Sequence, residues 1–243
     1  MGTVAVEVKD LNLSVGIGSE AKPIFNDLNF TIPSGEILSI IGASGSGKST
    51  LLNLLTGFLK PESGELNINF NESQIGIVLQ ESNLFPWLNV RQNIEFGYRF
   101  ARNEHSVENV KLHVDELLEK LGLLDLELKS IDTLSGGQAQ RVAIARTLAT
   151  KPKLLLLDEP FSSVDALTRH DLQDWVHSLR DEFDLTIILV THDLDEAFYL
   201  GDRVGLIDQR SLSIQFFDTE TVERKKSLDT ELHNQILSTL VGR

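Results

Sequence analysis

Through roughly the first 85 residues, apolar positions either alternate with polar ones or gather into short apolar runs, the spacing of strands. Val4, Val6 and Val8 alternate with Ala5 and Glu7, which predicts a half-buried strand. Asn29 to Ile32 and Glu36 to Ile41 predict two more, divided by the turn Pro33-Ser34-Gly35. A Leu-rich stretch from Thr50 to Leu59 is helical in character and stops before the turn Pro61-Glu62-Ser63-Gly64. Leu66, Ile68 and Phe70 then alternate, and Ile75 to Leu79 adds a further strand.

The period changes in the middle of the chain. Val90 to Ala101 predicts a helix; Val107, Val110, Val114, Leu117, Leu118 and Leu121 then share one helical face, and Gly122 supplies a stop. That stripe reads as a core-facing surface. After Lys151 the α/β alternation returns, with a buried strand at Leu154 to Leu157, a helix at Asp165 to Glu182, and strands at Thr186 to Val190 and Val204 to Ile207. The pattern implies one α/β domain over residues 1–243: a parallel-sheet core, a β-rich entry, a helical insertion between about 85 and 150, and a tail from about 208.

Composition narrows this little, except by exclusion. The absence of cysteine removes disulfides and thiolate metal sites. MGTVAVEVKD lacks the basic and apolar regions of a signal peptide, and no apolar run reaches the ~18 residues of a membrane span. A net charge of −14 argues against broad attraction to DNA, RNA or an anionic membrane, while leaving room for a small basic nucleotide site.

The chemistry lies in three motifs. Gly42-Ala43-Ser44-Gly45-Ser46-Gly47-Lys48-Ser49 stands between an apolar strand and a helix. Glycines there let backbone N–H groups point at a β-phosphate, and the following helix, from Thr50, offers its positive end. Lys48 can reach the β- and γ-oxygens and the Ser49 hydroxyl can ligate Mg²⁺, so the loop implies binding of a nucleoside triphosphate. Leu154-Leu155-Leu156-Leu157-Asp158-Glu159-Pro160 sets two acids at a strand end, where ligands bind on a parallel sheet. Asp158 can hold the Mg²⁺ shell, and Glu159 is placed to polarise an attacking water. Leu134-Ser135-Gly136-Gly137-Gln138 offers a capped, glycine-rich helix start, a second anion site. One triphosphate needs only one cradle. Ser135, Gly136, Gly137 and Gln138 therefore either serve a nucleotide held by another copy or form a plain N-cap on an amphipathic helix.

Taken together these residues resemble the ATP-binding subunits of ABC transporters, over nearly all of residues 3 to 207. Three smaller motifs follow the family's order: Gln80 after IGIVLQ, matching a glutamine that senses Mg²⁺ and the water; Ser162-Ser163-Val164-Asp165, matching a loop that communicates across a dimer; and His192 after TIILVTHD, matching a histidine that contacts the γ-phosphate and steadies the glutamate. The other histidines, His105, His113, His170, His177 and His233, carry no such match. The resemblance implies a P-loop NTPase fold, with a RecA-like core, an antiparallel β-subdomain and an inserted α-helical subdomain. It implies ATP and Mg²⁺, with Gly42 to Thr50 of one copy and Ser135 to Gln138 of a second, taken as identical, enclosing each nucleotide head to tail. Glu159, His192, Gln80 and Lys48 become the expected catalytic set, and Ser49, Gln80 and Asp158 the expected metal set. It also implies a place on the cytoplasmic face of a prokaryotic plasma membrane, two permease subunits, a separate solute-binding protein, and no nucleic acid. One position departs: Val15, in Leu13-Ser14-Val15-Gly16, stands where the family often stacks an aromatic on adenine. Losing that stacking costs on the order of 1 kcal/mol and leaves the preference for ATP over GTP resting on family alone.

Leu84-Phe85-Pro86-Trp87-Leu88-Asn89-Val90 lies where family members face their membrane subunits, so Phe85 and Trp87 either form a notch for a permease or pack inside the helical subdomain. FPWLNV and THDLDEAFYLGDRV are similar to the ATPases of nitrate, sulfonate and taurine-type importers. Two other readings remain open: an ATPase of soluble machinery for cofactor assembly or DNA repair, and a nucleotide-binding module without turnover. The acidic surface counts against DNA, and the presence of Lys48, Asp158, Glu159 and His192 against the inert module.

Overall fold

Four strands buried along almost their whole length make the centre of the molecule: β3 (Ile37–Ile41), β6 (Leu154–Asp158), β7 (Thr186–Thr191) and β8 (Arg203–Asp208). The computed structural model describes residues 3–16, 21–102, 107–219 and 236. With β5 (Ile75–Val78) and β9 (Ser213–Asp218) these strands form a six-stranded sheet in the order β5-β6-β7-β3-β8-β9. All neighbours pair in parallel except β9, which runs antiparallel on β8.

The apolar runs are continuous because both faces of the sheet are covered. Leu155, Leu157, Ile187 and Leu189 face one core, built with the helices α2 (Val90–Arg102), α3 (Val107–Lys120), α4 (Gly136–Leu148) and α5 (Ala166–Phe183). Leu154, Leu156, Ile188 and Val190 face the other, shared with α1 (Lys48–Leu55) and a three-stranded antiparallel sheet. That sheet has the order β2-β1-β4, from β1 (Val4–Val15), β2 (Lys22–Pro33) and β4 (Ser63–Ile68). A last helix, α6 (Leu194–Leu200), packs with Ile41, Val204, Leu206 and Ile236. The helical insertion is thus continuous with one face of the core rather than a separate body. Among the described residues no helix is long and apolar enough to cross a membrane.

Several expectations are corrected. Val4 is exposed while Ala5 and Val6 are fully buried, because a register shift between Val4 and Val6 breaks the simple alternation. The first helix runs from Lys48 to Leu55, not Thr50 to Leu59: it starts inside the glycine loop, and Gly57 in a left-handed conformation (φ 78°) ends it. β2 begins at Lys22, well before the expected Asn29, and β4 stops at Ile68, short of Phe70. The expected tail from about 208 contributes a strand of the main sheet, β9; residues 220–235 and 237–243 lie outside the described residues.

Because Leu156 is fully buried on the face toward α1, Leu156→Ala is expected to cost about 2–5 kcal/mol in a chemical-denaturation measurement. A cost below about 1 kcal/mol would contradict burial of the sheet on that side.

Candidate functional site

Parallel register brings the chemistry together. Ile41 pairs with Thr191, and Asp158 pairs with Val190, so β6, β7 and β3 end level with one another. The glycine loop follows β3, His192 follows β7, Asp158 ends β6, and Gln80 comes two residues after β5, the next strand along. A cleft of about 380 Å³ opens there, lined by Ile24, Ser44, Gly45, Gly47, Lys48, Ser49, Thr50, Glu159 and His192.

In the loop, Gly47 has a φ of 104°, and a Cβ there would stand 2.6 Å from the Ile24 side chain, so only glycine fits without strain. The Lys48 ammonium donates to the carbonyls of Gly42 (2.8 Å) and Ala43 (3.2 Å). Burial holds it below the ordinary lysine range, with the carboxylates of Glu159 and Asp158 opposing that shift. The Ser46 hydroxyl is buried and has no hydrogen-bond partner among the described residues.

Across the cleft the Ser49 hydroxyl is 3.5 Å from Asp158 Oδ2. Burial, and next the neighbouring Glu159 carboxylate, push the Asp158 carboxyl above its ordinary range. Glu159 takes a positive φ of 45°, a conformation that costs an L-residue on the order of 1–3 kcal/mol. Its N–H is fastened to the Val190 carbonyl at 2.8 Å, and its own carbonyl accepts from the Ser162 hydroxyl. One carboxylate oxygen of Glu159 then gathers two partners: His192 Nδ1 at 3.1 Å and Gln80 Nε2 at 3.4 Å.

Ser135 caps α4 through a reciprocal box, its hydroxyl accepting from the Gln138 N–H while Gln138 Oε1 accepts from the Ser135 N–H. The helix starts at Gly136, directly after this cap. None of Ser135 to Gln138 lines the cleft that holds Lys48. Gly136 lies instead against the Ser162–Asp165 loop, where a Cβ would collide with the Ser163 carbonyl oxygen. Val15 is half-exposed at the end of β1 and is likewise outside the cleft lining; Ile24 on β2 occupies that wall. The sequence offered no signal for Ile24, since β2 was not expected to begin so early.

The loop from Phe85 to Asn89 is fastened by Asn93, a fully buried side chain on α2 whose oxygen accepts from the Phe85 N–H and whose amide donates to the Phe85 and Asn89 carbonyls. Phe85 is half-buried against Phe96, with ring centroids 4.6 Å apart and the Arg146 guanidinium 5.6 Å from its ring. Trp87 projects outward, 75% exposed.

The donors suit a metal-bound polyphosphate. Lys48 and the orphaned Ser46 hydroxyl have hydrogen-bonding capacity left over, and Ser49 with Asp158 offers hard oxygens. Among the described residues no group of three or more His, Cys, Asp or Glu could hold a metal ion by itself, so a cation at this cleft would draw part of its shell from other oxygens, those of a substrate or of water included.

A family model described as ABC transporter matches residues 25–162. An aliphatic sulfonates import ATP-binding protein of Xanthomonas axonopodis is 41% identical over 221 residues, 89% of this chain and 86% of that protein. A taurine import ATP-binding protein of Jannaschia sp. is 44% identical over 189 residues, 76% of this chain and 70% of that one. A sulfate/thiosulfate import ATP-binding protein of Synechococcus elongatus is 39% identical over 228 residues; these cover 88% of this chain but only 64% of that protein's length. Among solved structures, a dimeric ATP-binding cassette in a post-hydrolysis state, bound to ADP and Pi, superposes with a TM-score of 0.75 at 31% identity, covering 88% of this chain and 99% of the other.

The raised Asp158 carboxyl has a consequence for stability. A carboxyl whose folded pKa lies above its unfolded value destabilises the fold when ionised, and that penalty fades as pH falls through the raised value. Asp158→Asn is therefore expected to raise the thermal midpoint of the nucleotide-free, metal-free protein at about pH 7–8, with the gain shrinking in mildly acidic buffer. A lowered midpoint at neutral pH would contradict this.

Proposed function

The chain belongs to the ABC transporter family, and we propose that it is the ATP-hydrolysing subunit that drives solute import through a membrane permease. The observation that carries the catalytic assignment is the shared Glu159 oxygen, held by His192 and Gln80 at the mouth of the Lys48 cleft. A carboxylate so fastened is directed at one point in the cleft, the position a water attacking a γ-phosphate would need.

In this reading Glu159 polarises the water, whose oxygen bonds to the γ-phosphorus as the bond to the bridging oxygen breaks, giving ADP and phosphate. Lys48 exchanges its carbonyl partners for phosphate oxygens and, with the loop N–H groups and His192, stabilises the charge that spreads over them. Ser49 and Asp158 would hold Mg²⁺ jointly with the substrate, and the ion would supply further charge neutralisation on the β- and γ-oxygens. Gln80 supports Glu159 and stands ready to sense the ion. The separation of Ser135 to Gln138 from their own chain's cleft supports a head-to-tail pair in which each copy completes the other's site. Ile24 and Val15 offer no aromatic stacking, so discrimination between ATP and GTP is expected to be weak.

The exposed Trp87, on a loop tied down by Asn93, supports docking to a permease over service in soluble machinery. The relatives' names favour an importer of the sulfonate, taurine and sulfate kind, placed peripherally on the membrane and fed by a separate solute-binding protein. The test is gentle affinity purification from native membranes. A multi-spanning permease in stoichiometric amount supports the proposal, and a wholly soluble partner set would overturn it.

Two substitutions sharpen the reading. Glu159→Gln is expected to bind ATP and pair stably while hydrolysing about 10²- to 10⁴-fold more slowly, and near-native turnover would remove Glu159 from its role at the attacking water. Trp87→Ala is expected to lower permease recovery strongly without altering the melting curve of the isolated chain; unchanged recovery would leave the notch without a function.

A further inference from the structure

Next to His192, and outside the lining of the cleft, lies a set of polar groups with no part of their own in the attack on the γ-phosphate. Glu196, on α6, keeps only 8% of its side chain exposed. Its Oε2 accepts a hydrogen bond from the Thr191 hydroxyl at 2.7 Å, and that hydroxyl accepts from the Asp193 N–H at 3.0 Å. Thr191 and Asp193 are the residues on either side of His192. Asp193 in turn caps α6 by accepting from the N–H groups of Asp195 and Glu196.

Arg169, on the first turn of α5, reaches into this set from the other direction. Its Nη1 stands 3.8 Å from Glu196 Oε1 and 3.9 Å from Asp193 Oδ2. Its Nη2 donates to the Val164 carbonyl at 3.1 Å, inside the loop Ser162-Ser163-Val164-Asp165, and its Nε is buried without a hydrogen-bond partner among the described residues. Desolvation and, after it, the neighbouring Asp193 carboxylate raise the Glu196 carboxyl, while Thr191, Arg169 and His192 favour the charged form. A buried carboxylate in such company is costly to keep and loses heavily if one partner is removed.

We propose that Arg169 is a positioning residue: through Glu196 and Thr191 it fixes the backbone that carries His192, and it ties that backbone to the Ser162–Asp165 loop. The link makes the placing of His192 against Glu159 depend on how that loop sits. The loop is also the one on which Gly136 rests, so the start of α4 and the arginine beside the His192 backbone meet the same short segment. Arg suits the task because its planar fork can bind a carbonyl with one nitrogen while facing carboxylates with another; a lysine offers a single point charge.

This inference rests on the ATPase reading, and the experiment separates the two. Single-turnover ATP hydrolysis by the full chain is measured for Arg169→Gln and Glu196→Gln, each alone and in a His192→Ala background, over times long enough to read the slow variants. Each substitution alone is expected to slow the chemical step about 10- to 100-fold, with little change in the KM for ATP. In the His192→Ala background neither should cause further loss, since no imidazole remains to be placed. Arg169→Lys should fall between Arg and Gln. A full rate in both single variants, or a loss of undiminished size without His192, would overturn the link. If Arg169→Gln fails to fold, Glu196→Gln, isosteric and still able to accept from Thr191, carries the same expectations. No hydrolysis by the unaltered chain would overturn the ATPase reading instead.

Discussion

Everything at the site depends on the common height at which four parallel strands stop. Gln80, Asp158, His192 and Gly42 follow or end β5, β6, β7 and β3, which are consecutive neighbours in the sheet. Parallel ladders hold that register firmly because both faces are buried. A slip of one residue would exchange Leu154 and Leu156, which face α1 and the small sheet, with Leu155 and Leu157, which face the helical insertion. The interchange would misfit two cores at once. Hydrophobic packing therefore aligns polar groups that never touch the core, and the geometry of the candidate site inherits the precision of the sheet.

The site itself is built from states the fold would otherwise avoid. Glu159 holds a left-handed backbone, Asp158 ionises against burial and a neighbouring carboxylate, Lys48 is desolvated, and the Ser46 hydroxyl is buried without a partner among the described residues. Each is unfavourable in the chain by itself; on the proposed reading a cation-bearing polyphosphate would offset the last three by supplying charge or an acceptor, while the strain at Glu159 is carried by the fold. Clustering of such penalties on one set of strand ends is what distinguishes a binding site from ordinary surface, where they would be removed by substitution. The surrounding strands, buried at almost every position, supply the stability against which these penalties are held.

How much was legible in the sequence varied with whether a residue's role is local. Leu154 to Asp158 could be read directly, because a strand buried on both faces is apolar at every position and its end is marked by acids. The phosphate loop was legible for the same reason: its glycines answer to local backbone demands. The buried stripe Val110, Val114, Leu117, Leu118 and Leu121 declared its helix through period alone. By contrast β9, SIQFFD, is an antiparallel edge strand whose apolar residues are only half-buried, so its signal is diluted. β2 is obscured because Asp27 takes a positive φ and interrupts its alternation, and the exposure of Val4 follows from a bulge set by the partner strand. Ile24, and not the expected Val15, lines the cleft, since its wall is decided by which strand crosses it, a tertiary fact. Arg169 and Glu196 were silent for a related reason: each is an ordinary helix residue until α5 and α6 are brought together.

A site that is open on one side also limits what a single chain can do. The cap at Ser135 is complete, with its hydroxyl and the Gln138 amide oxygen engaged in the capping box, so α4 has no structural need of a ligand. Its first-turn glycine is nevertheless packed so closely on the Ser163 carbonyl that any larger residue would push the loop away. That close approach has little value as helix capping, which tolerates many residues at this position. It has value if movement at the start of α4 is to be felt by the Ser162–Asp165 loop and, through Arg169, by His192. On the proposed reading, a γ-phosphate held between two copies presses on Ser135 of one and lies under His192 of the other. The contact at Gly136 then gives each chain a stiff path between the nucleotide it completes and the nucleotide it hydrolyses, which would make the two sites of a pair energetically dependent on each other.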